Sequence, residues 1–470
     1  MCLILFGKIF WKMKNKISLF LLVLFPMLSF AQLSSEEKQT RIDEIVNRIQ
    51  LPEIPEVEVS VLDYGAKPNS AKDSKKAFDK AIKSLQKKGG GKLIVPKGEY
   101  QLEGPIHLIS NMELHLAEGV LLNFGTNPKD YPMVLTSWEG TMLYNYSPLI
   151  YGNNLKNVAI TGSGTINGNG KEFWQSWKSK EDPAKQKSRE MNHNSTPLQD
   201  RQFGEGNYLR PQLLQLVNSE NILIEDIRIE NAPFWCVHLL KCKSATLRGL
   251  SYDSHNSNND GIDLEYTSDV LIEDVTFDNG DDNVAIKAGR DDEGRANAAT
   301  PSENIVMRNC LLKGLHAFVI GSEMSAGVRN VFVQNCKAHG YLKRGIYFKT
   351  NPDRGGYIKD IYIDNLKFDK TEDLFYITSF YHGEGEGHNS KISDIYINNI
   401  KCEEVTGTAV VIQGFEDSKV ENVQLQNIKV KKAKNGTSIT NTKSVVVDNL
   451  IIGEEAGVPT AAGKDVGEKK

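Results

Sequence analysis

The chain has 470 residues, 40% of them hydrophobic and 25% charged, with a formal net charge of −4. That is ordinary globular composition, and the slightly acidic balance gives no support for nucleic acid or an anionic membrane surface as partner. One compact core of this length would be unusually large, so the chain should hold several domains or an elongated repeat.

The first signal lies at residues 13–32, MKNKISLFLLVLFPMLSFAQ. Lys14 and Lys16 form a basic lead, Ile17 to Leu28 an apolar run, and Ser29-Phe30-Ala31 a small-residue cleavage site. The run is too short for a membrane span and reads as a secretory signal, with the start at Met13 and cleavage after Ala31. Residues 1–31 are thus extension and signal peptide, and the mature protein is expected to be secreted or periplasmic, free of the membrane. Residues 32–58 read as a helix from Ser35 to Ile49 and a linker carrying Pro52 and Pro55. A second amphipathic helix is expected from Asp73 up to the stop at Gly89 to Gly91, where it would cap whatever follows. The tail, 456–470, is polar and expected to be disordered.

From 59 to 455 one pattern recurs: a polar lead, then alternating apolar residues ending near asparagine. Examples are NSENILIEDIRIENA, YTSDVLIEDVTFDNG, GVRNVFVQNCKAHG, YIKDIYIDNLKFD and KISDIYINNIKCEE. Anchors at Asn221, Ala245 and Asp269 recur about two dozen residues apart, and later ones at Asn304, Asn330, Asp360, Asp394 and Asn422 are spaced more widely. The period-two, β-branched pattern predicts strands. A repeat that cannot bury its own face must stack on its neighbours. The expected fold is all-β, a right-handed parallel β-helix (a solenoid) with an N-terminal capping helix, its insertions placed in loops that build a groove. Five cysteines follow the signal peptide, an odd and scattered set that is no disulfide framework, with a Cys236–Cys242 bridge as the one pairing to consider.

Aligning the coils on their inward aliphatics puts Trp235, Asp260, Asp282, His316 and Arg344 each two residues before Val237, Ile262, Val284, Phe318 and Ile346. Stacked in register, they form a column at roughly 5 Å intervals. Two carboxylates one coil apart raise each other's pKa, a costly arrangement for structure alone. Strand parity turns Asp281 away from Asp282, so that it can hold a different proton state. Such a set suits acid-base hydrolysis of a glycosidic bond; a turn or a calcium site is the plainer alternative. The outward face of the same coils carries Asp263, Glu265, Lys287, Tyr347 and Lys349, with His238 upstream, and lysines on a groove floor suit an acidic sugar. The stretch from His382 to Asn389, HGEGEGHN, reads as a mobile cleft loop rather than a metal site. No metal or other cofactor is expected.

From Val61 to about Gly453 the sequence resembles the polygalacturonases of glycoside hydrolase family 28. The family's Asn-x-Asp motif stands as Asn258-Asn259-Asp260 and its Gly-Asp-Asp as Gly280-Asp281-Asp282. The resemblance implies an inverting hydrolase of pectin, an acidic plant polysaccharide, or of its oligosaccharides, working as a monomer. Asp281 would be the general acid, Asp260 and Asp282 would hold the attacking water, and His316 would support them. Asn258, His238, Arg344, Tyr347 and Lys349 would contact substrate. Two motifs depart from the family: Gly-His-Gly reads Leu315-His316-Ala317, and Arg-Ile-Lys reads Tyr347-Phe348-Lys349. A tyrosine cannot replace arginine's forked donors, so a decorated or rhamnogalacturonan-type oligomer, or attack from a chain end, becomes an alternative to plain polygalacturonate. Two other classes compete. A β-helix pectate lyase would use calcium and release unsaturated products, and a non-catalytic sugar-binding β-helix would release no reducing ends.

Overall fold

The computed structural model describes residues 33–382, 385–454 and 460–461. The expected signal peptide and most of the expected tail lie outside the described residues. The chain winds into a right-handed parallel β-helix. On one sheet, Leu214–Val217 pairs in parallel with Val237–Leu240, and the succession continues through Ile262–Glu265, Asn279–Lys287, Gly314–Gly321, Lys337–Lys349 and Tyr357–Thr378. A second sheet stacks Lys243–Arg248, Ser268–Glu273, Ser302–Arg308 and Val328–Gln334. A third runs from Gly98–Leu102 through Val120–Phe124, Thr165–Asn167 and Arg228–Glu230 to Ser251–Asp253, and later coils extend it.

Alternation explains the core. Val237, Ile262, Val284, Phe318 and Ile346 occupy one register and are fully buried, each contributing roughly 1.5–3 kcal/mol of apolar burial. All but one of the repeat anchors are corners: Asn221, Asp269, Asn304, Asn330, Asp360, Asp394 and Asn422 have left-handed backbone, whereas Ala245 pairs with Ile222 inside a strand and the corner of its coil is Ser244. Asparagine and aspartate tolerate that conformation better than other side chains, and here they also hydrogen-bond along the axis. Asn304 Nδ2 donates to Asp269 Oδ1 at 3.0 Å, and Asn330 Nδ2 to Asn304 Oδ1 at 2.6 Å.

The capping helix is Lys75–Lys87, with Phe78, Ala81 and Leu85 fully buried over the first coil. It ends where the sequence indicated: a Cβ at Gly91 would lie 2.3 Å from the Val57 carbonyl oxygen, so only glycine allows the chain that close. The earlier helix, Ser35–Arg48, lies along the side of the solenoid. Its Ile42 and Ile45 cover a row of outward aromatics, Phe332, Tyr362 and Tyr396, whose rings stack 5.0 Å apart. The five described cysteines are buried and free, so Cys236 and Cys242 do not bridge.

Three insertions cover the outer face of the first sheet. They are an antiparallel hairpin (Met133–Trp138 with Thr141–Tyr146), the helix Asp182–His193 and the short helix Asp291–Ala296. This cover corrects one expectation. Asp263 and Glu265 point outward from their coil, yet both are fully buried, because the hairpin lies over them and its Ser137 Oγ donates to Glu265 Oε2 at 3.0 Å.

Candidate active site

A pocket of about 390 Å³ opens where the insertions leave the first sheet uncovered. Its floor is the expected column. Asp282, His316 and Arg344 are direct register partners, while Trp235 and Asp260 fall in line through Val237, Ile262 and Val284. Trp235 is buried there, with the Lys287 ammonium 4.3 Å above its ring.

The aspartate pair does not follow strand parity. The register shifts between Asn279 and Asp282, a bulge held by Asn279 Nδ2, which donates to the carbonyls of Asn259 (2.8 Å) and Asp282 (3.0 Å). The extra residue re-aims the side chains, so Asp281 and Asp282 enter the same pocket. Their surroundings still differ. Asp282 is 1% exposed, with His316 Nδ1 at 2.6 Å from one oxygen and Lys349 Nζ at 3.0 Å from the other. Asp281 is 24% exposed and lies 3.7 Å from His316 Nδ1. Burial acts against ionisation of Asp282, but Lys349 and the hydrogen bond from His316 outweigh it and hold this carboxyl below its ordinary value. Burial, with Asp260 and Asp282 beside it, pushes Asp281 up to about 7. Because an ionised Asp282 can only accept, the imidazole must donate from Nδ1.

Asp260 is raised well above its ordinary value by burial and by Asp263, and burial pushes Asp263 up to about 8. Lys287 sits among them, 3.4 Å from Asp260, 3.4 Å from Asp263 and 3.5 Å from Glu323. Despite burial, those acids raise its own pKa well above the ordinary value. Asn258 has left-handed backbone, lines the pocket and accepts from Arg210 Nη2 at 2.8 Å. Arg210 is fully buried and paired with Glu181 at 3.1 Å; belonging to no repeat, it gives no signal in the sequence.

Lys349 and Tyr347 line the pocket, the lysine ammonium 5.1 Å from the Tyr347 ring centre and 5.4 Å from that of Tyr381. Arg344 also lines it, but its guanidinium is engaged by Glu372 and Asp373, each at 3.0 Å, and lies over Tyr376. His238 does not reach the pocket. It is fully buried beneath the hairpin, 2.8 Å from Gln215 and 3.0 Å from Glu265, so the expected substrate contact is instead an internal hydrogen-bond link. The far wall comes from the insertions: Lys185 and Arg290 flank Glu139 at 3.0 and 3.6 Å, and Arg290 reaches Glu323 at 2.7 Å. These wall residues lie outside the repeat pattern and carry no periodic signal. Of the glycine-rich stretch, His382 stands at the rim with Tyr381.

Two groups among the described residues bring three ligand-type atoms within 4.8 Å: Asp281 with Asp282 and His316, and His193 with Asp291 and Asp353. Both already hold protein cations, Lys349 on Asp282 and Arg354 on Asp291.

A family model described as "Glycosyl hydrolases family 28" matches residues 92–448. A second, "Rhamnogalacturonase A/epimerase, pectate lyase-like", matches residues 58–116. The crystal structure of a hyperthermoactive exopolygalacturonase from Thermotoga maritima is 37% identical, with a TM-score of 0.84 over 88% of this chain and 96% of that one. A probable polygalacturonase of Vitis vinifera is 28% identical over 80% of this chain and 74% of its own length. An exo-poly-alpha-D-galacturonosidase of Dickeya chrysanthemi is 23% identical over 78% of this chain and 65% of its own.

Proposed function

Because the chain belongs to the glycosyl hydrolases of family 28, we propose that it cleaves α-galacturonosidic bonds of pectin with inversion, using Asp281 as acid and Asp260 with Asp282 as the water-holding pair. The observation that carries this reading is the split between neighbouring carboxyls: Asp282, 1% exposed, is held by His316 at 2.6 Å and Lys349 at 3.0 Å, which keep it low, whereas Asp281, 24% exposed and 3.7 Å from His316, is pushed up to about 7. At mildly acidic pH one is protonated and the other ionised, as an inverting mechanism requires. Asp281, the more exposed, gives its proton to the leaving glycosidic oxygen as the bond to the anomeric carbon breaks. A water held by Asp282 and Asp260 attacks that carbon from the opposite face and passes its proton to the pair. Asp281 is then reprotonated from solvent, and the pair releases the proton it took from water. His316 fixes the orientation of Asp282, and Lys349 keeps it ionised while meeting a galacturonate carboxylate.

The wall of insertions favours attack from a chain end. Glu139, Lys185 and Arg189, all on insertions and joined by ion pairs, line the pocket, and such a wall suits a closed-ended site better than the open cleft an endo-acting enzyme needs. Tyr347, edge-on to His316 at 5.4 Å and to Tyr376 at 5.6 Å, presents a ring where the family carries arginine, so the adjoining subsite accepts a neutral or decorated sugar. No helix among the described residues is long and apolar enough to cross a membrane, and residues 13–31 serve as the export signal. The test is product analysis on homogalacturonan, rhamnogalacturonan and their oligomers. Early release of single sugars of inverted configuration is expected; unsaturated products would point to a lyase, and retained configuration would exclude this assignment of the aspartates.

A further inference from the structure

On the third sheet, a three-residue motif repeats without any role in the pocket: Asn335-Cys336-Lys337, Asn365-Leu366-Lys367, Asn399-Ile400-Lys401 and Asn427-Ile428-Lys429. The middle residue is buried core. The asparagine is explained by its left-handed backbone at each corner. The lysine has no such explanation. Lys337 pairs in register with Lys367, Lys367 with Lys401, and Lys401 with Lys429, so four ammonium groups occupy consecutive rungs of one exposed column. None of the four pairs with an acid among the described residues, and none is in the pocket.

One column of the second sheet alternates in sign. Glu225, Arg248, Glu273 and Arg308 are successive register partners of alternating sign, with contacts of 2.6 Å (Glu225–Arg248) and 2.7 Å (Glu273–Arg308). On the third sheet itself Lys370 faces Glu404 at 3.0 Å, and Lys431 faces Glu403 at 2.9 Å. Like charges directly opposite each other across strands are destabilising, and the chain as a whole is slightly acidic. A four-rung column of one sign therefore fits a polyanion laid along the axis, with charges repeating at about the strand spacing of 4.8 Å.

We propose that this lysine column is a docking rail for the polymeric substrate, a de-esterified polyuronate running parallel to the solenoid axis on the sheet beside the pocket. A 1,4-linked uronate carries one carboxylate per sugar, and each lysine's flexible four-carbon stem can follow it. The strand Lys337–Lys349 begins in the rail and ends in the pocket, so a polymer held on the rail is kept one sheet face away from the pocket. The choice of polyanion rests on the function proposed above; the rail itself rests on the register.

The experiment uses the full chain carrying Asp281→Asn, so that polymer is bound without being cut, and follows its retardation in gels containing long de-esterified polygalacturonate. Adding Lys367→Ser, Lys401→Ser and Lys429→Ser, all exposed, should weaken binding by about tenfold or more through loss of three charge pairs, with a smaller salt dependence. The three arginine replacements should restore binding. In the active enzyme the serine substitutions should leave kcat/KM on trigalacturonate unchanged and lower the rate on long polymer. Equal retardation with and without the lysines would overturn the rail, as would equally tight binding of double-stranded DNA through the same lysines. A protein that cuts no galacturonide but is retarded through these lysines would refute the proposed reaction and leave the rail standing.

Discussion

Replacing Lys349 by methionine keeps most of the stem and removes the charge 3.0 Å from Asp282. At an effective dielectric near 20, unit charges that close attract by roughly 5 kcal/mol, and removing one partner of a buried pair costs about 3–5 kcal/mol. His316 remains 2.6 Å from the other oxygen and compensates in part. With each pH unit equivalent to about 1.4 kcal/mol, the Asp282 carboxyl should rise by about 2 units or more, toward Asp281 near 7. In the wild type, the depressed carboxyl gives stability that is present above its unfolded value of about 3.9 and lost as pH falls through its folded value. Without Lys349 the depression is smaller, so the variant's deficit is full above the unfolded value and shrinks as pH falls below it toward the folded values. The rate should show the same change: the acid limb of kcat/KM, where Asp282 takes a proton, moves up, while the upper limb set by Asp281, which Lys349 holds down more weakly, moves up by less, and the bell narrows. Denaturant unfolding at two pH values and a pH–rate profile on the best oligogalacturonide measure both effects. An acid limb that does not move, together with a stability deficit independent of pH, would refute the assignment of Lys349 as the group that keeps Asp282 ionised.

Two further outcomes follow from the same geometry. Asp281→Asn should lower turnover by about 10²–10⁴-fold. Because a carboxyl raised to about 7 withdraws stability as pH rises through that value, the amide should match or exceed wild-type stability at pH 8 by thermal melting; a clear loss there would mean that Asp281 is structural. Arg210→Met should cost about 3 kcal/mol, the low end for breaking a buried pair, because it removes the charge 3.1 Å from one Glu181 oxygen while Lys178 stays 2.7 Å from the other, and it should lower kcat by freeing the Asn258 loop beside Asp260; unchanged kinetics in the folded variant would separate that loop from catalysis.

Stacking makes the column legible. Once Ile262 and Val284 are taken as inward neighbours, Asp260 and Asp282 are placed by counting, and the strand register agrees with the count. Counting fails at Asp281, where the bulge inserts a residue that alternation does not reveal; the asparagine that holds it, Asn279, reads as ordinary turn chemistry. His238 escapes for a different reason. Its outward direction is legible, but what covers it is a hairpin about a hundred residues upstream, and no local pattern announces that contact. Glu139, Lys185 and Arg290 share this illegibility: each sits on an insertion, and their meeting with Glu323 is set by how loops fold back. The helix Ser35–Arg48 is readable as a helix, whereas its seat on the aromatic row depends on which coil faces carry rings outward.

The pairing of one rung with the next has a consequence for how such a chain can change length. Every group in the pocket floor depends on a fixed count of rungs between Trp235 and Tyr376, so an extra coil spliced inside that interval would separate acid from base by a whole strand spacing. After Thr378 the rungs carry no floor residue, and a coil copied from Lys391–Gln413 could be added or removed there while the pocket floor stayed intact. Repeat number beyond that point is thus free to vary independently of the chemistry, and what would scale with it is the length of surface presented to a long polymer.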